Sequence, residues 1–136
     1  MICLDTNAVI VAINRRAPEV RRRLEAALVQ GDIVGLPTIV LYELWYGIKK
    51  SARPQANAAR LATFLSLDVQ TWPFEPEDAE VAGAIRAALD AAGAPIGPYD
   101  VLIAAQARRR AALLVTANTG EFDRVPGLKT ENWAAA

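Results

Sequence analysis

Three acidic residues, Asp5, Glu43 and Asp100, are the first candidates for chemistry in this sequence of 136 residues. Each lies in an apolar stretch with no Lys or Arg within five positions on either side. A carboxylate drawn into a protein interior is destabilising unless it is protonated, meets a cation or ligates a metal. Clustered carboxylates raise one another's pKa unless a divalent cation offsets their charge. Ligands that are all oxygen favour Mg²⁺ or Mn²⁺ over zinc, so the pattern indicates a magnesium or manganese site.

Each of these acids also has a simpler interpretation when it is taken alone. Glu43 lies in segment 39–48, which is apolar nearly all round a predicted helix, and its carboxylate could be satisfied there by a backbone group or a tyrosine. Asp100 lies in the first turn of a predicted helix, where an acid satisfies free N–H groups, and Asp5 could cap the first helix. Three further acids are expected to be solvated charges: Glu25, Asp78 and Glu80.

The composition excludes several other kinds of site. The sequence has no histidine, which rules out His-based acid–base catalysis, Ser–His or Cys–His pairs and His-ligated zinc. Its one cysteine, Cys3, rules out a disulfide framework and is expected to be a small core residue. Equal numbers of basic and acidic residues, 15 each, argue against a generally basic nucleic-acid coat but not against a local phosphate-binding groove.

Nothing in the sequence predicts a membrane segment. The N-terminal residues lack the basic region of a signal peptide, and Asp5 interrupts their apolar run. The longest apolar run, 36–48, contains Glu43 and is too short to cross a bilayer. We therefore expect a soluble cytoplasmic protein.

Short apolar strands alternate with helices along the chain. Strands are predicted at Ile2–Leu4, Ile33–Leu36, Val69–Phe74 and Leu113–Thr116, with a weak edge strand at Leu128–Thr130. Helices are predicted from the Asp5-Thr6-Asn7 turn to about Asn14, from Pro18 to before Gly31, from Pro37-Thr38 to about Lys50, over Gln55–Ser66, from Glu75 to about Ala92 and from Pro98 to about Arg110, with a short helical turn after the fourth strand. This order predicts one α/β domain over 1–136, with right-handed crossovers and a parallel sheet covered on both faces. Ligands of such sheets bind beyond the carboxyl ends of the strands, where Asp5 and 116–118 fall.

Four motifs follow one another along the chain: Leu4-Asp5-Thr6-Asn7, the segment 42–47 (YELWYG), the segment 97–105 (GPYDVLIAA) and the tail 115–128. Together they resemble the PIN-domain ribonucleases, and most closely the VapC toxins of bacterial toxin–antitoxin pairs. The similarity covers essentially the whole chain in the right order. It implies a PIN-like three-layer α/β/α sandwich with a central, mostly parallel sheet of four or five strands.

The resemblance also implies which residues form the site. Asp5, Glu43 and Asp100 would be the metal-binding acids around Mg²⁺ or Mn²⁺, with Asn118 as the fourth catalytic residue. Many relatives carry an acid at that fourth position, whereas Asn118 can ligate only through its carbonyl oxygen and brings no charge. The possible compensating acids are Glu121 and Asp123, whose alternative role is that of solvated surface acids. Three residues would orient the carboxylates or water, unless they serve only as caps and turns: Thr6, Asn7 and Thr116.

The implied activity is hydrolysis of RNA phosphodiester bonds by a metal-dependent endoribonuclease. The implied substrates are loops of transfer or ribosomal RNA, so that the activity inhibits translation. Local positive charge must hold such an RNA, and the candidates, which could also be plain solvated charges, are Arg15, Lys49, Lys50 and Arg108. The alternatives are a structure-specific DNA nuclease of the wider PIN-like group and a catalytically weak antitoxin-binding module.

The implied partner is a VapB-like antitoxin that neutralises the toxin. The third predicted helix has more apolar surface than a domain of this size is expected to bury, so an antitoxin segment could lie in a groove along it. The stripe expected to bind the antitoxin comprises Leu41, Leu44, Trp45 and Ile48. The resemblance also implies a homodimer within a toxin–antitoxin hetero-oligomer.

Overall fold

The computed structural model describes residues 1–134 as strands alternating with helices. The strands are β1 (Ile2–Leu4), β2 (Val34–Pro37), β3 (Gln70–Trp72), β4 (Leu113–Val115) and β5 (Lys129–Glu131). The helices are α1 (Thr6–Asn14), α2 (Pro18–Val29), α3 (Thr38–Lys49), α4 (Pro54–Leu65), α5 (Pro76–Ala91), α6 (Pro98–Arg109) and α7 (Thr119–Phe122). Each predicted element is present: β1 has the predicted ends, and the ends of most others are shifted by a few residues. The last two residues of the predicted 1–136 domain lie outside the described residues.

The five strands form one sheet in the order β3-β2-β1-β4-β5, and all four pairings are parallel. The predicted α/β class with a parallel sheet is confirmed. Right-handed crossovers place α1 to α4 over one face and α5 to α7 over the other, which gives three layers. Every residue of β1 and β2 is buried, as expected for strands covered on both sides.

The direction of the chain across the sheet reverses between β1 and β4. From β1 the chain moves outward to β2 and β3, and it then crosses back to β4 and β5 on the other side of β1. Such a switch point leaves a crevice at the carboxyl ends of the two central strands. The backbone N–H of Asp5 donates to the carbonyl of Val115 across this edge at 3.3 Å. The first predicted acid therefore lies at the expected crevice.

Proline marks the start of most of the long helices. Pro18, Pro54, Pro76 and Pro98 are each the first residue of a helix. At that position the fixed φ of proline suits the helix and its missing N–H is not needed. Gly31, with φ +85°, follows α2 in the left-handed conformation that glycine adopts without strain.

The third helix buries one stripe and exposes another. Val40, Leu44 and Ile48 are buried in the core, whereas Tyr42 is 54% exposed and Tyr46 is 60% exposed. The buried side chains of the described residues form one continuous cluster that includes Cys3, as predicted for that residue. The aromatic surplus on α3 is therefore outside this core. Among residues 1–134, no helix combines the length and the apolarity that a bilayer crossing requires.

The expectation that Asp78 is a solvated charge is wrong. Asp78 is fully buried at the start of α5 and accepts hydrogen bonds from Nε of Arg109 at 2.6 Å and from Arg110 at 3.0 Å. It also accepts the backbone N–H of Glu75 at 2.9 Å, which closes a capping box. Burial raises the pKa of Asp78, but these hydrogen bonds outweigh it and hold the pKa below its ordinary value. The two arginines lie over thirty positions away in sequence, so local pattern could not identify this ion pair.

Candidate active site

A small open pocket of about 170 Å³ lies at the carboxyl ends of the central strands. The three predicted acids come from three elements: Asp5 caps α1, Glu43 lies in the middle of α3 and Asp100 lies in the first turn of α6. All three line this pocket. The remaining lining residues are Thr6, Asn7, Asn118 and Phe122.

Asp5 serves both as a helix cap and as a wall of the pocket. Its side chain is 5% exposed and accepts the backbone N–H of Ala8 at 2.8 Å. Burial raises the pKa of Asp5, and the charge of Glu43 raises it further. Hydrogen bonds from Thr116 and Ala8 lower that pKa but do not outweigh burial. The structural interpretation and the functional one are therefore compatible at this residue.

Glu43 is held in place by a neighbouring hydroxyl. The Oγ1 atom of Thr6 donates to Oε1 of Glu43 at 2.6 Å, which links the start of α1 to the middle of α3. Thr116, which follows β4, forms a hydrogen bond with Asp5, and its Oγ1 accepts the backbone N–H of Asn118 at 2.9 Å. The hydroxyls of Thr6 and Thr116 thus each contact one of the pocket carboxylates. Asn7 is exposed at the rim of the pocket.

Asp100 lies beside a fourth acid, Glu121. Burial and the charges of Glu121, Glu43 and Asp5 raise the pKa of Asp100 to about 7. The backbone N–H of Gly97 donates to Oε1 of Glu121 at 2.8 Å and holds the pKa of Glu121 below its ordinary value. The carboxylate of Glu121 is therefore one cause of the raised pKa of Asp100.

The backbone leaves room for this pair of acids at Gly97. A Cβ atom there would lie 3.0 Å from Oδ2 of Asp100 and 3.7 Å from Oε1 of Glu121. Glycine thus lets the N–H of the loop before α6 approach both carboxyl groups. This contact joins α6 to α7, and it cannot be read from sequence because residues 97 and 121 belong to different motifs.

The two candidate compensating acids lie in different places in the structure. Glu121 accepts a hydrogen bond from the side-chain amide of Asn118 and lies against Asp100. Asp123 is exposed and accepts the hydroxyl of Thr130 at 2.6 Å, away from the pocket. Glu121 thus lies at the site, whereas Asp123 fits the alternative of a surface acid.

The donor set of this pocket suits a divalent cation. None of the four acids forms a salt bridge with Lys or Arg in the part of the chain that is described. Carboxylate oxygens with one amide carbonyl are the ligands that Mg²⁺ and Mn²⁺ prefer. As they stand, however, no three His, Cys, Asp or Glu side chains of residues 1–134 are close enough together to hold an ion.

Two of the predicted RNA-binding cations lie at the end of α3, on its exposed side. The ammonium group of Lys49 lies 5.5 Å from the ring centroid of Trp45, and that of Lys50 lies 4.6 Å from the ring centroid of Tyr46. Each lysine thus covers an aromatic ring. Both remain exposed and available to a phosphate.

The other two predicted cations lie apart from the pocket. Arg15 borders a shallow cleft together with Arg21 and Arg60. Arg108 donates to the carbonyl of Pro126 at 3.0 Å and lies two turns of α6 beyond Asp100, roughly 12 Å along the helix. Arg108 therefore holds the loop before β5 and does not face the acids.

An apolar groove of about 260 Å³ runs between α1, α3 and α4 and reaches the pocket at Glu43. Leu44 and Ile48, two of the four residues predicted to bind an antitoxin, line it. Leu41 instead packs partly against the core, and Trp45 is 39% exposed beneath Lys49. The groove is thus formed by half of the predicted stripe. Its other lining residues are Ile10, Ile13, Asn14, Gly47, Asn57, Arg60 and Leu61.

Comparisons with known proteins agree with this geometry. The family model of the PIN domain matches residues 2–128. The chain is 40% identical over 131 residues to the tRNA(fMet)-specific endonuclease VapC of Shigella flexneri and 39% identical over 130 residues to ribonuclease VapC2 of Haemophilus influenzae, with 96% of each chain covered in both cases. The crystal structure of VapBC2 from Rickettsia felis bound to promoter DNA matches with a TM-score of 0.91 at 36% identity, covering 98% of this chain and 99% of that chain. The chain therefore belongs to the PIN domain family.

Proposed function

We propose that this chain is a metal-dependent endoribonuclease of the VapC type, the toxin of a toxin–antitoxin pair, which hydrolyses RNA phosphodiester bonds. One observation carries the proposal: Asp5, Glu43 and Asp100 come from three separate elements to one pocket, Glu121 lies against Asp100, and none of the four acids forms a salt bridge within residues 1–134. Relatives that cover nearly the whole chain and are named as ribonucleases support it.

The four acids would hold one or more Mg²⁺ or Mn²⁺ ions. A bound ion of this kind lowers the pKa of a coordinated water and neutralises charge that grows on the phosphoryl oxygens. The N–H of Ala8 fixes Asp5, the hydroxyl of Thr6 fixes Glu43, and the N–H of Gly97 fixes Glu121. These hydrogen bonds orient carboxylate oxygens before substrate arrives, which reduces the reorganisation needed during the reaction. No histidine is required for this chemistry.

The proposed substrates are loops of transfer or ribosomal RNA. In the Shigella flexneri relative, the name specifies the initiator transfer RNA as substrate. Proteins that read RNA sequence mostly bind single-stranded loops, in which bases are unstacked and accessible. The pocket is open and shallow, and the exposed cations Lys49 and Lys50 lie on the helix that supplies Glu43. This arrangement suits a flexible strand that passes over the acids.

The proposed partner is a VapB-like antitoxin segment that lies in the apolar groove between α1, α3 and α4. The Rickettsia felis relative was solved as a VapBC2 complex. Here the groove ends at Glu43, so a segment that fills it would reach the acid pocket. An occupant placed in this way could block the pocket while burying the apolar groove.

The substitution Asp5→Asn tests the proposed activity. Asparagine is as good a helix cap as aspartate, so we expect the fold to be retained while a negative ligand is lost. Cleavage of a transfer RNA pool and of ribosomal RNA with Mg²⁺ should fall by about 100-fold or more, since even residues that only support metal ligands contribute about 10- to 100-fold. Circular dichroism and the thermal midpoint check the fold.

The matched control is Asp68→Asn, which removes one exposed acid outside the pocket and should leave cleavage unchanged. A chelator should stop wild-type cleavage, and Mg²⁺ or Mn²⁺ should restore it. Full activity of purified Asp5→Asn would contradict the proposal. Cleavage of a DNA hairpin as fast as RNA would favour the DNA nuclease instead.

A further inference from the structure

Two exposed tyrosines stand beside the acid pocket. Tyr42 immediately precedes Glu43 on α3, and Tyr99 immediately precedes Asp100 on α6. Their ring centroids are 5.5 Å apart at an interplanar angle of 61°. The two helices therefore bring an aromatic pair, as well as an acid each, to the same edge of the molecule.

Neither tyrosine contributes to the hydrophobic core. Tyr42 is 54% exposed and Tyr99 is 44% exposed, so much of each ring is in contact with solvent. Most large exposed aromatic groups need no explanation when they are scattered singly. This pair is different because the two rings come from helices far apart in sequence and touch each other beside the pocket.

We propose that Tyr42 and Tyr99 stack an unpaired base of the RNA next to the phosphate that lies over the acids. This inference rests on the proposed ribonuclease function. Single-stranded RNA is held by base stacking on aromatic side chains together with nearby positive charge. Each tyrosine is one residue from a pocket acid, so a base on the pair has its own phosphate close to the acids. The pair would position the strand and would favour bases with a large stacking surface.

The other exposed aromatic rings of α3 are less free to stack. Lys49 covers Trp45 and Lys50 covers Tyr46 at the distances given above. Their cations would meet phosphates further along the strand, which is a contact without base selectivity. Tyr46 is therefore a matched control for Tyr42: the same side chain, on the same helix, one turn beyond Tyr42 towards the end of α3.

The test compares two probes with the same number of phosphates, a fluorescein-labelled oligoadenylate and an abasic oligoribonucleotide. Binding is measured by anisotropy in EDTA, which needs no cleavage. Tyr42→Ala and Tyr99→Ala should weaken binding of the oligoadenylate by roughly five- to hundredfold, the range for losing one base stack. Binding of the abasic probe should not change. Tyr42→Phe should keep the wild-type preference, and Tyr46→Ala should lose much less of it.

Equal weakening for both probes, or an unchanged preference in both alanine variants, would overturn the inference. The same holds if the variants change the molecular mass in sedimentation velocity while the base preference stays intact, because the pair would then be covered by a second copy of the chain. A wild-type protein that binds oligoadenylate selectively but cleaves no RNA would refute the proposed function without refuting the stacking pair.

Discussion

At the scale of single residues, Glu121 is the acid that lies against Asp100 in addition to the three predicted acids. It accepts hydrogen bonds from the N–H of Gly97 and the amide of Asn118, and these hold it beside Asp100. An amide at 118 would leave the pocket one negative charge short. We propose that Glu121, three positions later on the short helix α7, supplies that charge.

We predict that Glu121→Gln lowers Mg²⁺-dependent RNA cleavage by about 10- to 100-fold. Glutamine keeps the length of the side chain and can still accept the N–H of Gly97, so the loss would be one of charge. Asp123→Asn is the control, because Asp123 accepts the hydroxyl of Thr130 and the side-chain carbonyl of asparagine can accept the same hydrogen bond. Initial rates and the Mg²⁺ concentration for half-maximal rate measure the effect. Equal rates for both variants would mean that Glu121 contributes no essential charge.

The site could be predicted from sequence only in part. Asp5, Glu43 and Asp100 stand out because their neighbours are apolar and uncharged, and burial raises the pKa of two of them, Asp5 and Asp100. The choice between Glu121 and Asp123 depends on a hydrogen bond to Gly97, a contact across 24 positions that no local pattern encodes. For the same reason, the sequence did not indicate that Tyr42 and Tyr99 touch.

At the scale of elements, the ring of Trp72 in β3 packs directly over β2 because Gly35 of β2 has no side chain. A Cβ atom at Gly35 would lie 1.9 Å from Cε2 of Trp72, whose ring is buried over the strand. The ring of Trp72 is also covered by the guanidinium of Arg110 at 4.7 Å. Trp72 therefore cannot move aside easily, and the glycine is a requirement of packing.

We predict that Gly35→Ala lowers the free energy of unfolding by about 2 kcal/mol, the usual effect of overpacking a core. The control is Gly83→Ala within α5, where an added Cβ meets no atom within 4 Å. That variant should gain about 0.5–1 kcal/mol, since alanine is the better helix former. Urea denaturation measures both. Equal free energies of unfolding for the two variants would show that the ring of Trp72 can move to make room for the added Cβ.

The ion pair of Asp78 joins α5 to α6, the helix that carries Asp100. The side chain of Asp78 is fully buried, whereas those of Arg109 and Arg110 are 28% and 15% exposed. Removing one partner of a buried pair leaves charge behind without compensation. The position of α6, and with it of Asp100, therefore depends on a carboxylate that takes no part in the pocket.

We predict that Asp78→Asn destabilises the fold by about 3 kcal/mol at neutral pH, the low end for a broken buried pair because the arginines are partly exposed. The pKa of Asp78 in the folded protein lies below its unfolded value of 3.8. The stabilisation that the charged Asp78 gives the fold is therefore present above pH 3.8, and it is lost as the pH falls through the folded pKa. Urea unfolding from about pH 6 to about pH 3 should show a steeper loss of stability for the wild type than for the variant. Parallel pH profiles would contradict this assignment.

Element boundaries were predictable because they depend on neighbours in sequence. Proline at the first helical position marks the starts of α2, α5 and α6, and glycine marks the ends of α2 and α5. The alternation of strands and helices indicates the parallel sheet. The buried position of Asp78 was not predictable, since an acid in the first turn of a helix is normally solvated. Its burial follows from two arginines on a helix that packs against it from elsewhere in the chain.

At the scale of the whole molecule, the proposed nuclease and partner sites are continuous. The groove between α1, α3 and α4 ends at Glu43, which also lines the acid pocket. Gly47 lies in the wall of this groove, and a Cβ added there would meet no atom within 4 Å. A larger side chain at Gly47 can thus fill the groove without disturbing the core.

We predict that Gly47→Leu abolishes co-purification of the VapB-like antitoxin expressed with the chain, because leucine would occupy the space of the antitoxin segment. The fold should be retained or stabilised, since leucine is a better helix former than glycine. Gly83→Leu on α5, another helical glycine facing open space, is the control and should keep the partner. Retention of the antitoxin by Gly47→Leu would place the interface elsewhere.

The placement of β4 beside β1 determines when the pocket can form. Asp5 and Glu43 are synthesised early, but their pocket is completed by Asp100 and Glu121, and β4 must enter the middle of the sheet before it closes. A nascent chain that ends before α6 therefore carries two of the four acids and lacks β4, the strand beside β1. The four acids can therefore come together only after α7 has been synthesised.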